Sequence, residues 1–318
     1  MPVVMAPTAL ASGLVIALCL YLLLELKTSR PDGTLIDVHP YRRVMFHIMP
    51  TRNESVVYFD SWVDSEALVS YLEEAKERFG GDLSRAVAGA VSVGMKEAPS
   101  MNHFVVGHRK YARNKIWVSM RMLSQSGGAK ERLLTIKECV PSTMTFRDLC
   151  ESTDARLESA RDGTDRQVGG TATALGLLPA PASRLLARLA LALDYFNLLP
   201  SSVIEHDPLF CSLLIANPSR GDIEPGYHHL YEWGNCPLIL MIGRVEDRPM
   251  KVDERLVFRK QLHLRYAYDE RIDDGLSARF GFEAVKRVLE NPYAELGCLS
   301  EDGSDAVFLT AHAGGGRT

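Results

Sequence analysis

The sequence predicts an α+β domain preceded by one N-terminal transmembrane helix. Helical and strand patterns follow one another irregularly, and the longest strand pattern lies late in the chain. This order favours α+β over a doubly wound parallel sheet. A separate, uncharged apolar run from Ala9 to Leu24 accounts for the N-terminal helix.

The composition is that of a folded globular protein. Of the 318 residues, 46% are hydrophobic and 24% are charged, and the formal net charge is −4. Without a basic stripe the chain is not expected to bind nucleic acid. Its cysteines form no C-x-x-C pair and are typical of thiols in a reducing compartment rather than of a disulfide framework or a zinc site. They are Cys19, Cys139, Cys150, Cys211, Cys236 and Cys298.

The apolar run favours an uncleaved membrane anchor over residues 1–27. Its length is close to the roughly 20 residues that a helix needs to cross a bilayer. A cleaved signal peptide, the alternative, begins with a basic stretch, whereas no Lys or Arg precedes Lys27. The positive charges at Lys27, Arg30, Arg42 and Arg43 all follow the run, so the positive-inside rule predicts a single-pass membrane protein with its body in the cytoplasm. Residues 28–38 are predicted as a linker, because Pro31 and Gly33 break the helix.

The first half of the body alternates strand and helix signals. Val56–Phe59 is β-prone, and Asp64 and Ser65 can cap a helix whose apolar residues recur at helical spacing. A second helix is predicted from Leu83 until Pro99. Candidate strands follow at 103–106, 115–120 and 132–136, and the charged stretch 151–167 resembles an exposed helix end with a loop.

The second half begins with a leucine-rich amphipathic helix and continues with strands. Arg184, Arg188 and Asp194 interrupt the run from Leu185 to Leu199 too often for a membrane span, so a core or interface helix is expected. The apolar run Pro237–Ile242 predicts a buried strand that ends at Gly243, with a turn at 246–249. Leu256–Asp269 alternates apolar and polar residues as a long strand, and a helix follows Gly275 as far as Asn291.

The junction between that strand and that helix carries a family resemblance. The segment Tyr268-Asp269-Glu270-Arg271-Ile272-Asp273-Asp274-Gly275 resembles the His-x-x-x-Asp-Gly signature of the dihydrolipoyl acyltransferases of 2-oxo-acid dehydrogenase complexes and of chloramphenicol acetyltransferase. Asp274 and Gly275 match, but Glu270 occupies the position of the histidine. Further similar segments are Pro40–Arg43, Ala98–Asn102 and Ile215–Asn217.

The resemblance implies a chloramphenicol acetyltransferase-like domain, a sandwich of mixed sheet and helices, over residues 39–296, a C-terminal tail over 297–318 and a homotrimer with active sites between subunits. It implies acyl transfer to or from a thiol, with a coenzyme A thioester as the possible substrate and no covalently bound cofactor. In the family an early arginine pairs with the signature aspartate, which here suggests an ion pair between Arg42 and Asp274. The hydroxyl that stabilises the oxyanion would correspond to Ser212, and Asn217 belongs to a substrate-binding segment.

Glu270 leaves two functions open. A thiol of pKa about 8.5 is matched better by an imidazole near 6.5 than by a carboxylate near 4.3, although burial can raise the pKa of a carboxyl group. Glu270 is therefore a candidate general base, or else a structural residue that pairs with Arg271 or Arg265. The predicted function is a membrane-anchored, coenzyme A-dependent acyltransferase; the alternative is a non-catalytic trimeric scaffold derived from one.

His228 and His229 are the other candidates for chemistry. They lie in an aromatic segment between Gly226 and Gly234, and neighbouring side chains on an extended chain point to opposite faces. No further ligands stand at a spacing that suits a metal, so a substrate-binding or aromatic channel lining is favoured.

Overall fold

A computed structural model describes residues 7–124, 132–161, 177–218, 224–273 and 275–310 of the chain. The helices in those ranges are α1 (Pro7–Leu26), α2 (Pro40–Ile48), α3 (Glu66–Phe79), α4 (Leu83–Glu97), α5 (Phe146–Arg161), α6 (Ala180–Tyr195), α7 (Ser201–His206), α8 (Leu276–Glu290) and α9 (Pro292–Glu295). Short 3-10 turns cover Pro99–Asn102 and Glu270–Ile272.

The strands form two sheets. They are β1 (Gly33–Leu35), β2 (Val56–Asp64), β3 (His103–Val106), β4 (Arg109–Arg113), β5 (Ile116–Ser124), β6 (Arg132–Val140), β7 (Leu213–Ala216), β8 (Leu238–Val252) and β9 (Arg255–Asp269). The main sheet has the order β2-β9-β8-β7-β5-β6, and the small sheet has the order β1-β4-β3. In the main sheet β7 runs parallel to both β5 and β8, and the other neighbours are antiparallel. The prediction of an α+β mixed sheet is confirmed.

Helices cover one face of the main sheet and form the core with it. The predicted alternation along β9 is confirmed, because Leu262, Leu264, Tyr266 and Tyr268 are all buried in this core. Helix α4 packs against α8 so closely that a Cβ on Gly94 would lie 2.7 Å from the carbonyl oxygen of Gly281. Glycine is therefore required at this crossing of α4 and α8.

The other face of the main sheet is covered by chain without regular secondary structure. Residues 224–237, which we call the strap, cross this face on the way to β8. Leu230 and Cys236 of the strap pack with Leu214, Ile239 and Ala267 of the sheet. The strap therefore closes a second, smaller apolar layer.

The hairpin of β8 and β9 differs from the prediction. The predicted strand end at Gly243 is wrong, because pairing shifts register between Ile242 and Val245 and then continues to Val252. The predicted turn at 246–249 is also wrong, since Pro249 is paired with Phe258 in the hairpin. Chain reversal occurs instead at Asp253 and Glu254, whose φ angles of 46° and 63° are left-handed.

Residues 28–38, predicted as a linker, pack against the domain. Strand β1 pairs with β4, and the guanidinium of Arg30 is buried at 1% exposure. Its Nε donates to Asp32 at 3.0 Å and its Nη1 to Asp194 at 2.9 Å. Burial raises the pKa of the Asp32 carboxyl, but Arg30 and Arg113 together hold it below its ordinary value. This segment is thus part of the folded body.

The predicted C-terminal tail also packs on the domain over its described part. The backbone of Gly297 bridges to Ala306, and the amide of Leu309 donates to the carbonyl oxygen of Met144 at 2.9 Å. Leu309 is buried against the core.

Helix α1 leaves the body with its apolar side chains uncovered. Leu14 is 73% exposed and Leu23 is 63% exposed. The described part of the chain nevertheless contains no helix with the length and apolar character required to cross a membrane. The predicted transmembrane helix is therefore not supported.

Candidate functional site

Five segments of chain meet at one edge of the main sheet. Strand β9 ends there at Asp269, while β2, β8, β7 and β5 begin there. We call this the Glu270 edge, because Glu270 follows β9 directly. The amide of Glu270 donates to the carbonyl oxygen of Ser55 at 2.9 Å, and that of Asp269 donates to Pro237 at 2.9 Å. The register thus brings the predicted signature beside the strands that carry the other candidates.

Glu270 itself is exposed and unpaired among the residues that the structure describes. The predicted alternative, in which it pairs with Arg271 or Arg265, is wrong. Arg271 pairs with Asp269 at 2.8 Å, and Arg265 pairs with Asp60 at 2.7 Å. The Glu270 carboxylate is therefore available to a substrate or to another chain.

The turn that carries Glu270 is fixed from below by a buried ion pair. Arg271 donates to both carboxylate oxygens of Asp269, at 2.9 Å from Nε and 2.8 Å from Nη2, with side-chain exposures of 4% and 1%. Ser55 also donates its hydroxyl to Asp269, and Arg271 reaches the carbonyl oxygens of Met49 and Pro50. This ion pair was not predicted from the sequence, although the Asp-x-Arg spacing of the two residues that flank Glu270 could have indicated it. Arg271 and Ile272 are buried in this turn, and Glu270 is its exposed residue.

The rest of the signature is partly described. Asp273 is buried and accepts a hydrogen bond from the hydroxyl of Ser100, in the Ala98–Asn102 segment that supported the resemblance. Asp274 lies outside the described residues, so its ion pair with Arg42 remains a prediction. Arg42 is half-buried on α2.

Ser212 lies on the same edge but does not contact Glu270. It immediately precedes β7, and in the register of β7, β8 and β9 it is aligned with Asp269 two strands away. That separation is roughly 10 Å. Ser212 is fully buried, and its Oγ accepts a hydrogen bond from the amide of Trp117 at 2.9 Å. The hydroxyl thus already has a partner within the chain.

The strap carries His228 and His229 on one side rather than on opposite sides. Their rings stack with centroids 4.8 Å apart and planes 23° apart, so the expectation of opposite faces is wrong. Tyr231 packs edge-on against both rings, and its hydroxyl accepts a hydrogen bond from Arg121. Burial lowers the pKa of His228, so its imidazole is neutral in ordinary conditions.

Glu232 ties the strap to the chain just before β2. Its carboxylate accepts hydrogen bonds from the amides of Arg52 and Asn53 and from the side chain of Asn53. The buried Arg52 donates back to the carbonyl oxygen of Glu232 at 2.9 Å. Ser55 follows Arg52 by three positions, so these contacts hold Glu232 of the strap close to the Glu270 edge.

Asn217 lies away from this edge. It follows the last residue of β7, whereas Ser212 precedes the first, and the strand length separates them by roughly 16 Å. Its side chain donates to the hydroxyl of Ser84 at 3.0 Å. Within one chain the structure therefore brings Glu270, Ser212 and Glu232 of the strap to one end of the sheet and leaves Asn217 at the other.

The described residues contain no cluster of three or more His, Cys, Asp or Glu side chains that could hold a metal ion. The chemistry on offer at the Glu270 edge is that of the Glu270 carboxylate. The imidazoles of His228 and His229 pack with Tyr231, whose hydroxyl bonds Arg121 further along β5.

Part of the sequence matches a family of known activity. The 2-oxoacid dehydrogenases acyltransferase (catalytic domain) family matches residues 237–296, which include β9, Glu270 and α8. The resemblance seen in the signature is thus confirmed.

Two curated proteins match the same length of chain. The lipoamide acyltransferase component of the branched-chain alpha-keto acid dehydrogenase complex of Pseudomonas putida is 35% identical over 60 residues, or 18% of this chain and 14% of that protein. The corresponding protein of Pseudomonas aeruginosa is 37% identical over 60 residues, again 18% and 14% of the two chains. The matched region thus spans only about a seventh of these relatives.

Solved structures share the fold over most of the chain. A probable dihydrolipoamide acetyltransferase from Listeria monocytogenes has a TM-score of 0.51 and 17% identity, over 81% of this chain and 94% of that one. The dihydrolipoamide acetyltransferase of Azotobacter vinelandii has a TM-score of 0.50 and 14% identity, over 81% and 93%. The fold is thus that of an acyltransferase catalytic core.

Proposed function

We propose, from the match of residues 237–296 to the acyltransferase catalytic-domain family, that this chain transfers acyl groups to or from a thiol. The observation that carries the proposal is the position of Glu270. It replaces the histidine of the signature, yet it stands exposed and unpaired on a turn that the buried Asp269–Arg271 pair holds rigid. A carboxylate retained only for structure would be expected to contact a neighbouring cation.

Glu270 is the proposed general base in this reaction. It takes the proton from the acceptor thiol, and the thiolate then attacks the carbonyl carbon of a coenzyme A thioester. The tetrahedral intermediate expels coenzyme A, which leaves as a thiol with that proton. The negative charge that develops on the carbonyl oxygen needs a hydrogen-bond donor, and Ser212 is the proposed donor. Because Ser212 and Glu270 lie roughly 10 Å apart in one chain, the proposed active site combines Glu270 of one subunit with Ser212 of another.

The proposed oligomer is a homotrimer, with Arg42 and Asp274 paired beneath the site and His228, His229 and Asn217 in contact with substrate. The separation of Glu270 from Ser212 within the chain supports an active site between subunits. The acyl donor of the reaction is a coenzyme A thioester.

Replacing Glu270 tests this function. Thiol release from a panel of acyl-coenzyme A donors is measured for the native chain, Glu270→Gln and Glu270→His. General-base assistance contributes about 10²- to 10⁴-fold to a rate, so Glu270→Gln is expected to lose at least about 10²-fold. Glu270→His restores an imidazole and is expected to retain or raise the activity.

Glu283→Gln is the matched control for this experiment. Glu283 is an exposed glutamate on α8 that pairs with Arg279, so its amide should leave turnover unchanged. Native turnover that survives Glu270→Gln undiminished would rule out Glu270 and leave His228 or His229 as the base.

A non-catalytic trimeric scaffold is the second candidate. It is favoured by the burial of Ser212, whose hydroxyl is not exposed to a substrate or to another chain. A scaffold predicts no thiol release from the native chain or from either Glu270 variant while the trimer stays intact. Release by the native chain at any rate above the uncatalysed reaction excludes it.

The proposed location is the cytoplasmic face of a membrane, with α1 as the point of attachment. The exposed apolar side chains of α1 and the positive residues that follow it support this location. Cell fractionation tests it: the full chain is expected in the membrane fraction, and a chain that lacks residues 1–26 in the supernatant. Recovery of the full chain in the supernatant would contradict the proposal.

A further inference from the structure

A cavity lies at the opposite end of β9 from Glu270. It has a volume of about 300 Å³, and its lining includes Trp62, Arg248, Gln261 and Lys286. Gln261 precedes Glu270 by nine residues of a continuous strand, a distance of roughly 30 Å. The cavity is therefore separate from the proposed acyl-transfer site.

Arg248 supplies a positive charge with free donors at this cavity. Its guanidinium carbon lies 3.6 Å from the centre of the Trp62 ring, and Trp62 stacks in turn on His263 at 4.0 Å. Among the described residues the guanidinium has no hydrogen bond or ion pair. A guanidinium held flat on an indole keeps its N–H groups available at the edge, where a carboxylate or phosphate accepts two hydrogen bonds.

Gln261 adds an unsatisfied polar group to the lining. The residue is 4% exposed, and its amide nitrogen Nε2 is buried without a hydrogen-bond partner in the described chain. An unpaired buried amide destabilises the fold, whereas a bound oxygen acceptor would satisfy it. This cavity therefore has a hydrogen-bond donor that no group in the described part of the chain accepts from.

The remaining charges of the cavity are largely engaged. Glu290 accepts a hydrogen bond from the amide of Asp64 at 3.2 Å and lies 3.6 Å from Lys286. The carboxylate of Asp64 accepts a hydrogen bond from the amide of Glu66 at 3.3 Å. The two carboxylates are thus involved in local contacts, and Arg248 is the charged group left for a ligand.

We propose that this cavity binds a small anion with a carboxylate or phosphate group, which pairs with Arg248 and accepts a hydrogen bond from Gln261. Pro249 and Met250 supply apolar contact for the remainder of the ligand.

Titration calorimetry of the full chain with two probes, inorganic phosphate and succinate, tests the proposal. At least one probe is expected to bind saturably, and the better probe identifies which anion the site prefers. Arg248→Gln and Gln261→Leu should each weaken that binding, Arg248→Gln by about tenfold or more because it removes a charge-assisted pair. Failure of both probes to saturate would overturn the proposal.

Arg259→Gln is the matched control variant. Arg259 lies opposite Arg248 in the β8–β9 register, but its guanidinium forms an ion pair with Glu66, outside the cavity. It should leave anion binding unchanged. An equal loss of binding in Arg259→Gln would mean that the probes respond to surface charge alone and would contradict the site.

Thermal unfolding without ligand gives an independent readout. Gln261→Leu removes the unpaired amide, so its melting temperature should be equal to or higher than that of the native chain, while added anion should stabilise the native chain more than this variant. A marked loss of stability in Gln261→Leu would show that its amide has a structural partner and would contradict the proposed role.

Discussion

At the scale of single residues, the Asp269–Arg271 pair determines how Glu270 is presented. Arg271→Met would leave the Asp269 carboxylate buried with only Ser55 and backbone amides as partners. Breaking a buried pair from one side typically costs about 3–5 kcal/mol, and we expect a loss of that size in the free energy of unfolding measured with urea.

Arg279→Gln is the comparison for this prediction, because the Arg279–Glu283 pair is exposed on α8. Exposed pairs contribute about 0–1 kcal/mol, so this variant should unfold almost as the native chain does. Equal effects of the two substitutions would show that the Asp269–Arg271 pair is not buried in solution.

His103 gives the stability a pH dependence with a definite sign. Burial lowers its pKa from 6.5 to about 4, with a further lowering from Lys110. Between these values the unfolded chain takes up a proton that the folded chain does not, so the free energy of unfolding falls as the pH is lowered through this window. Above it the contribution of His103 is constant.

Urea unfolding at about pH 7 and about pH 5 measures this contribution, since the two values bracket the ordinary pKa of histidine. The native chain should lose more stability between them than His103→Gln does. His206→Gln, at an exposed histidine, should behave as the native chain. A slope in His103→Gln equal to the native slope would contradict the assignment.

The sequence predicted several site residues but not their relations. Glu270 was identified because it breaks a signature, and a signature is local in sequence. The pairing of Arg271 with Asp269, rather than with Glu270, depends on which side chains point inward from a 3-10 turn, and residue order does not reveal this. The side shared by His228 and His229 was missed because the strap is not a regular extended strand.

At the scale of secondary-structure elements, the segment after α1 contributes to the fold through Arg30. Deletion of residues 1–26 removes α1 and the partly exposed Glu25–Arg109 pair. Deletion of residues 1–30 also removes Arg30 and leaves Asp194 buried without its cation. We expect the longer deletion to lower the free energy of unfolding by about 3–5 kcal/mol relative to the shorter one.

Urea unfolding of both truncated chains measures this difference, and Arg30→Met in the full chain should reproduce most of it. Two truncated chains of equal stability would show that residues 28–38 act as a free linker, as their composition predicts.

Some element boundaries followed from periodicity and turn residues, as for α4, β3 and α8. The β8–β9 hairpin did not, because Pro249 suggested a turn. Beyond its pairing with β7 at residues 239–241, β8 pairs only with β9 in the described part of the chain, so Pro249 lies in an edge strand, where proline is tolerated. Proline therefore marked an edge strand rather than a chain reversal.

At the scale of the whole molecule, the separation of Glu270 from Ser212 predicts an assembly. Light scattering of the purified chain is expected to give three times the 35.3 kDa of one chain. A monomer with full thiol-release activity would contradict the proposed active site between subunits.

The architecture was predictable at the level of class and family, because a mixed sheet follows from the order of patterns and a signature near its last strand. The arrangement of the candidate site was not predictable, because Ser212 and Glu270 come to the same end of the sheet only through the register of β7, β8 and β9. That register depends on strand order, which joins residues 58 positions apart in the sequence.

The contacts of Arg30 fix the junction between α1 and the domain, so this junction does not act as a hinge. A loose tether would let the domain turn in any direction, but the carbonyl oxygen of Lys27 is held by Asn197 and the Arg30 guanidinium by Asp194. The orientation of α1 therefore also determines the orientation of the main sheet. Under the proposed attachment of α1 to a membrane, the Glu270 edge therefore keeps one orientation relative to that membrane.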